Sequence, residues 1–187
     1  MTRRYTVVPP WEWQKETLDS KPIWEWKMQG SLYLWRFEWD LRNMPGWHLH
    51  VDDSASASIA DLIDRMLASE KLCRKIIDIV PERPLPVDPD LPWYAASQLV
   101  LIYAREEVEA NYWLAELKSD KLHLTLGTDK MQEMKAGVIG VPLGKDDYAI
   151  GPDVNYNKMT GRARWKHECI WFWSRNPVNQ HPEPKTK

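Results

Sequence analysis

The sequence predicts an α+β fold: a mixed, mainly antiparallel sheet packed by one long helix and one shorter helix. Apolar and polar residues alternate along several short segments, which is typical of half-buried strands. A longer segment after residue 55 places apolar residues every three to four positions, as an amphipathic helix does. The chain has 187 residues, enough to bury one sizeable core. We therefore expect a single domain over residues 1–174 and a flexible tail over residues 175–187.

The first half is predicted to hold a β-hairpin followed by the long helix. Residues 23–28 and 32–41 alternate like strands, and a turn signal separates them from a further strand over residues 47–51. In that strand apolar residues alternate with two histidines, which predicts one buried and one polar face. Serines and aspartates after it can cap the helix, which we expect over residues 56–79.

A proline-rich connector over residues 81–92 divides the chain, because proline fits neither a helix interior nor a central strand. Beyond it we expect strands and one short helix, in the order 98–105, 112–118, 122–126, 128–136 (helix), 138–143 and 165–173. Each half thus contains a hairpin and then a helix, and the triplet at 49–51 matches that at 122–124. Duplication and chance recurrence both remain open, and we use the repeat only to favour one continuous sheet.

Charge and composition argue against several classes of protein. The formal charge of −2 leaves no large basic field, which argues against nucleic acid as the partner. No stretch approaches the roughly 18 apolar residues that span a bilayer, so we expect no membrane span. The two cysteines form no CxxC pair, and buried thiols in a reducing compartment, the cytoplasm, are the simplest interpretation.

Tryptophan is unusually frequent, with 12 residues that often lie two positions apart. On a strand this spacing places both rings on one face. The pairs Trp11/Trp13 and Trp24/Trp26 occur in a segment rich in Glu and Lys, and the core of one domain does not readily hide so many indoles. We expect some of these four residues to form an exposed patch that binds another protein.

A basic and aromatic cluster near the end of the chain is a second candidate binding site. Arg162, Arg164 and Trp165 lie among further basic residues, a combination that can stack on a flat ring while holding anionic groups. The same cluster suits an acidic partner protein. The alternative is an ordinary solvated strand and loop.

The main chemical motif is His48-Leu49-His50-Val51-Asp52-Asp53. On a strand both imidazoles point the same way and can reach one metal, with Asp52 as a carboxylate ligand at the strand end. The string resembles the HxHxDH motif of the metallo-β-lactamase family, with Asp53 in place of the last histidine. That resemblance implies a zinc-like divalent metal. The alternative is that both histidines lie on a solvated strand face and that the aspartates favour the helix N-terminus.

These observations give one leading hypothesis and two alternatives. The leading hypothesis is a non-catalytic intracellular binding protein without a cofactor, most concretely an inhibitor or immunity-type protein that binds a partner through the tryptophan patch. The first alternative is a metal-dependent hydrolase that uses His48, His50 and Asp52 to activate water. The second is a module that stacks a carbohydrate or an aromatic small molecule on the tryptophans.

Overall fold

The computed structural model describes residues 21–38, 46–82, 92–105, 108–144, 148–152 and 169–173. In these ranges the chain forms three helices and nine strands, which we number in chain order. They are α1 (Lys21–Glu25), β1 (Leu32–Phe37), β2 (Trp47–Val51), α2 (Asp53–Leu67), β3 (Cys73–Asp78), β4 (Trp93–Ala95), β5 (Gln98–Tyr103), β6 (Trp113–Lys118), β7 (Lys121–Leu126), α3 (Thr128–Gly140), β8 (Tyr148–Ile150) and β9 (Ile170–Phe172).

The strands form two mixed sheets. The first sheet has the order β4-β1-β2-β9-β8, and the second has the order β3-β5-β7-β6. Each sheet contains one parallel pair, β2 with β9 and β5 with β7, and all its other pairs are antiparallel. The predicted α+β class and the mixed, mainly antiparallel pairing are confirmed. The expected single continuous sheet is wrong, because the strands divide between two sheets.

The two sheets are assembled on the same plan. A hairpin (β1–β2), a helix (α2) and two antiparallel strands (β3 and β5) are followed by a second hairpin (β6–β7), a second helix (α3) and two antiparallel strands (β8 and β9). Each sheet joins the hairpin of one half to the last two strands of the other half, through a parallel pair. Neither half therefore completes a sheet alone, and the shared plan supports an internal duplication.

Helix α2 begins at a cap that also fixes the segment before β1. The Asp52 carboxylate accepts hydrogen bonds from the backbone N–H of Ala55 and of Ser31, both at 2.8 Å. Such a cap satisfies a backbone donor that the helix itself leaves unpaired. Gly30 has a φ of +80°, and a Cβ atom there would overlap Asp52 Oδ1 and the backbone nitrogen of Ala55. Only glycine fits this approach.

Helices α2 and α3 pack against each other through small residues. The Ser56 hydroxyl on α2 donates to the Val138 carbonyl of α3 at 3.0 Å, and the neighbouring Gly137 is buried. At the rim of this contact the Lys135 ammonium lies 2.6 Å from a carboxylate oxygen of Asp64. Small side chains let the two backbones approach closely, so the two helices pack tightly where the halves of the chain meet.

One cluster of buried apolar side chains joins both sheets to both of the longer helices. Members from the four parts include Leu34 and Leu49, Leu101 and Leu124, Ile63, and Met134. The second sheet contributes alternate residues of β7, whose burial alternates along the strand. Because the cluster is continuous, both sheets and both helices contribute to one core.

Two predicted elements in the first half have the wrong type or length. Residues 23–28 include the end of helix α1 rather than a strand. The long helix ends at Leu67, and residues 73–78 form strand β3. The error has a physical cause: Cys73 and Ile77 are four apart, a spacing that keeps both residues on one face of a helix and also of a strand.

Most of the remaining predictions agree with the structure where it describes the chain. The strands expected over 98–105, 112–118 and 122–126 are confirmed within two residues. The short helix is confirmed but continues to Gly140, and residues 141–144 form a turn, so the strand expected at 138–143 is wrong. Strands β4 and β8, three residues each, were not expected. The described end of the predicted strand at 165–173 is β9.

Replacing Asp52 by Ala should lower the free energy of unfolding by about 1–2 kcal/mol, since the variant loses an N-cap. It also loses the bond to the Ser31 backbone. Urea denaturation monitored by circular dichroism would measure the loss. Asp53→Ala is the control, because this exposed neighbour lies in the first turn and serves no cap. Equal losses in both variants would contradict the cap's role.

Candidate functional site

The two tryptophans of the predicted patch that the structure describes have different environments. Trp24 on α1 is 71% exposed, whereas Trp26, just after the helix, is 7% exposed. The indole N–H of Trp26 donates to the Ser58 carbonyl of α2 at 3.1 Å. The expectation that both rings share one face is therefore wrong, because this segment is helical up to Glu25 rather than extended. The Trp26 side chain anchors this segment to α2, and the Trp24 side chain is exposed to solvent.

Lys75 on β3 holds α1 in place. Its ammonium donates to the carbonyls of Ile23 and Trp24, at 2.9 and 3.1 Å, near the carboxyl end of the helix. It also lies 5.5 Å from the centroid of the Trp26 ring. Helix ends leave carbonyls that attract a cation, and burial lowers the pKa of Lys75 from its ordinary value. Trp24 is thus carried on a braced helix.

An open groove lies between the segment at the end of α1 and the first turns of α2. Its volume is about 830 Å³, and Glu25, Trp26 and Lys27 line one side. Asp53 and Asp61 of α2 lie on the other side. Asp61 pairs with Arg65 of the same helix at 2.9 Å. The groove therefore has a polar, charged lining.

The other predicted binding residues lie outside the described ranges. They are Trp11, Trp13, Arg162, Arg164 and Trp165. Their roles in binding remain predictions.

His48 and His50 lie in a buried aromatic layer on the first sheet. Both side chains are fully buried, so the expected solvated face of this strand is wrong. Their cross-strand neighbours on β1 are Trp35 and Tyr33. The Trp35 ring stacks on the His48 ring at a centroid distance of 5.5 Å, and Phe37 meets the same imidazole edge-on at 5.0 Å. The aromatic side of β1 thus packs with the histidines.

Trp173 links both histidines to the end of strand β9. Its indole N–H donates to His48 Nδ1 at 2.9 Å, and its carbonyl oxygen lies 2.8 Å from His50 Nδ1. An indole N–H only donates and a carbonyl only accepts. His48 Nδ1 is therefore unprotonated, and His50 Nδ1 carries a proton. The backbone N–H of Trp173 also donates to the Leu49 carbonyl at 3.0 Å.

The side chains predicted to bind a metal make structural hydrogen bonds. His48 and His50 bond to Trp173, and both carboxylate oxygens of Asp52 accept backbone N–H groups. Across the described ranges, no group of three His, Cys, Asp or Glu side chains is arranged to hold a metal ion. His123 lies in the other sheet, and His167 is outside those ranges. The metal site remains a prediction.

His123 takes the position in the second sheet that His48 takes in the first. Each lies four residues before a helix N-cap, Asp52 or Gly127. In the structure His123 therefore corresponds to His48. The repeat expected from the sequence paired His123 with His50, two residues away. Burial is the main cause that lowers the pKa of His123, and the positive charge of Lys118 adds to it.

Neither cysteine is placed for reactive chemistry. Cys73 and Cys169 are free and buried. Burial raises the pKa of the Cys73 thiol to about 12, so it carries no thiolate at neutral pH. Both behave as small core residues.

Sequence reasoning missed two residues that define these sites, Lys75 and Trp173. Lys75 falls within the helix predicted over residues 56–79, and in the structure it lies on strand β3. The position of Trp173 after a predicted strand was visible, but its partners are more than 120 residues away along the chain. No local pattern could reveal either role.

Comparisons with known proteins returned no relatives. No protein-family model matches the chain, and neither do curated proteins or solved structures. None of the described helices is long and apolar enough to cross a membrane. The function must therefore be argued from the chain itself.

Replacing Trp173 by Phe should lower the free energy of unfolding by about 1–2 kcal/mol, because it leaves His48 Nδ1 buried without its donor. Thermal unfolding followed by circular dichroism would measure the loss. Trp24→Phe is the matched control, since that ring is exposed and should be neutral. A Trp173→Phe protein as stable as the wild type would show that the indole bond does not hold β9.

The lowered pKa of His123 predicts a pH dependence of stability. In the window below the ordinary value of 6.5, the unfolded chain binds more protons than the folded one. Stability should be greatest above pH 6.5. It should decrease as the pH falls from 6.5 through the lowered pKa of His123. His123→Gln should therefore lose less stability than the wild type between about pH 7.5 and 5.5. Urea midpoints at both pH values test this, and identical losses would contradict it.

Proposed function

We propose that this chain is a non-catalytic binding protein that recognises a partner protein through Trp24. The observation that carries the proposal is an indole that is 71% exposed on a helix braced from the core side by Lys75. Exposed apolar residues are common, but tryptophan is the residue most enriched among those that dominate binding energy. Trp24 is also the most exposed of the large hydrophobic residues in the described ranges.

The surroundings of Trp24 suit a protein partner. An aromatic anchor with a polar rim is the usual anatomy of a protein interface. Glu25, which follows Trp24, and Lys27 are exposed polar residues that supply such a rim. Because α1 is held by Lys75 and by Trp26, little ordering of the ring's backbone is needed on binding, which lowers the entropic cost.

The most concrete form of the proposal is an inhibitor or immunity-type protein that blocks its partner. This form is favoured by the small mixed fold, the slight net negative charge, the burial of His48 and His50, and the structural hydrogen bonds that both histidines and Asp52 make. The hydrolase hypothesis requires a metal ion among these side chains, and the Nδ1 atoms of both histidines already bond to Trp173. The ligand-stacking hypothesis expects Trp26 to extend the Trp24 surface, and Trp26 is buried instead.

The proposal predicts that Trp24→Ala weakens binding to the partner by about 2 kcal/mol, roughly 30-fold in Kd, as truncation of a central anchor does. The partner is first captured from cell extract on immobilised wild-type protein and identified by mass spectrometry. It is then purified, and its affinity for each variant is measured by isothermal titration calorimetry. An inhibitor also abolishes the partner's own activity in the complex.

Leu143→Ala is the matched control, because Leu143 is another exposed apolar residue, at 64%, and lies beyond helix α3. It should bind like the wild type. Trp24→Ala should unfold at the wild-type temperature, since its side chain packs little. A purified partner that binds Trp24→Ala and wild-type protein equally would overturn the proposal.

A further inference from the structure

The second sheet has an outer face, on the side away from the core cluster. Alternate residues of all four strands contribute to it, and their register places them in three rows. We call this the outer face: Asp78, Gln98, Lys121 and Lys118; Ile76, Val100, His123 and Glu116; Arg74, Ile102, Thr125 and Leu114.

The outer face has an apolar centre that reaches one edge. Val100 and Ile102 on β5 are buried, and Leu114 on β6 is partly exposed. Ile76 on the edge strand β3 is 45% exposed. An apolar partner side chain placed on Ile76 would therefore continue a surface that is already packed.

The rim of the outer face is positive. It carries three cations, Arg74, Lys118 and Lys121, and two carboxylates, Asp78 and Glu116. Lys118 lies 2.8 Å from Glu116, so these two charges offset each other, and the Gln98 amide donates to Asp78 at 2.8 Å.

His123 lies in the middle row, and the charges of the rim shift its pKa. The charges that lower its pKa belong to Lys118, Arg74 and Lys121, and Glu116 alone raises it. The local field at the centre of the face is therefore positive, and a carboxylate brought there would be attracted.

The corresponding face of the first sheet, which carries His48, is covered. There His48 has Trp35 and Trp171 as neighbours across the strands and is fully buried in an aromatic layer. In the second sheet His123 has Glu116 and Val100 at those places and stays partly exposed. One sheet's outer face thus packs aromatic side chains, and the other presents aliphatic and charged ones.

We propose that the outer face of the second sheet binds an acidic protein segment that carries apolar side chains. The carboxylates of that segment face Arg74 and Lys121, and an apolar side chain covers Ile76. A nucleic acid fits less well, because the exposed Ile76 and the apolar centre of this face suit apolar side chains, which a phosphate backbone does not supply. This inference goes beyond the proposed function. Lys75, which holds Trp24, points to the opposite side of β3 from Ile76.

The test uses a fluorescein-labelled decapeptide of alternating Glu and Leu and measures its binding to the full chain by fluorescence polarisation. Wild-type protein should bind it saturably, and Lys121→Glu should weaken binding about tenfold, since it replaces an attraction by a repulsion. Ile76→Asp should weaken it as well and provides a second variant at an exposed site. Lys71→Glu, the same charge change on an exposed residue between α2 and β3, is the matched control and should bind like the wild type.

The pH dependence of binding, a Trp24 variant and a labelled oligonucleotide complete the test. Binding should tighten between about pH 7.5 and 5.5 as His123 gains a proton, and His123→Gln should show a smaller change. Trp24→Ala should bind the peptide like the wild type, so failure of this inference and failure of the proposed function are distinguishable. Absence of saturable binding, equal affinity in Lys121→Glu, or binding of a labelled oligothymidine in place of the peptide would overturn the inference.

Discussion

Two parallel strand pairs, β2 with β9 and β5 with β7, are the joints on which the rest of the structure depends. Each joint connects a hairpin from one half of the chain to strands from the other half. Without them the helices α2 and α3 would lack complete sheets to cover, and the shared core could not form. The hydrogen bonds around Trp173 lie at the end of the first joint, which explains why one residue bonds to three consecutive positions of β2.

The displayed tryptophan depends on these joints indirectly. Lys75 can hold α1 only because β3 is paired along its length with β5, and β5 is in turn held by β7. The charge on Lys75 serves two purposes there, since it satisfies helix carbonyls and lies over the Trp26 ring. The candidate binding surface is therefore an extension of the second sheet, although Trp24 lies far from that sheet in sequence.

The fold class and most strands were predictable because alternation and turn signals are local. Strands β5, β6 and β7 follow directly from their own residues. The division into two sheets was not predictable, since it depends on which distant strands pair. The candidate site divides in the same way. The number and spacing of the tryptophans indicated Trp24 as a candidate. The different burial of Trp24 and Trp26 depends on a five-residue helix and on a cation from β3, and neither was predictable. The histidines looked polar in sequence, and only the aromatic partners on β1 and β9 explain their burial.

The exchange of strands between the halves has a consequence for how the chain is made. During synthesis the first hairpin leaves the ribosome well over a hundred residues before β9, its parallel partner, is complete. Until then β2 presents an unpaired edge and the histidines lack Trp173, so the nascent first half resembles an aggregation-prone intermediate. The second sheet can close earlier, once β7 is made, so it is complete before the last two strands of the first sheet leave the ribosome.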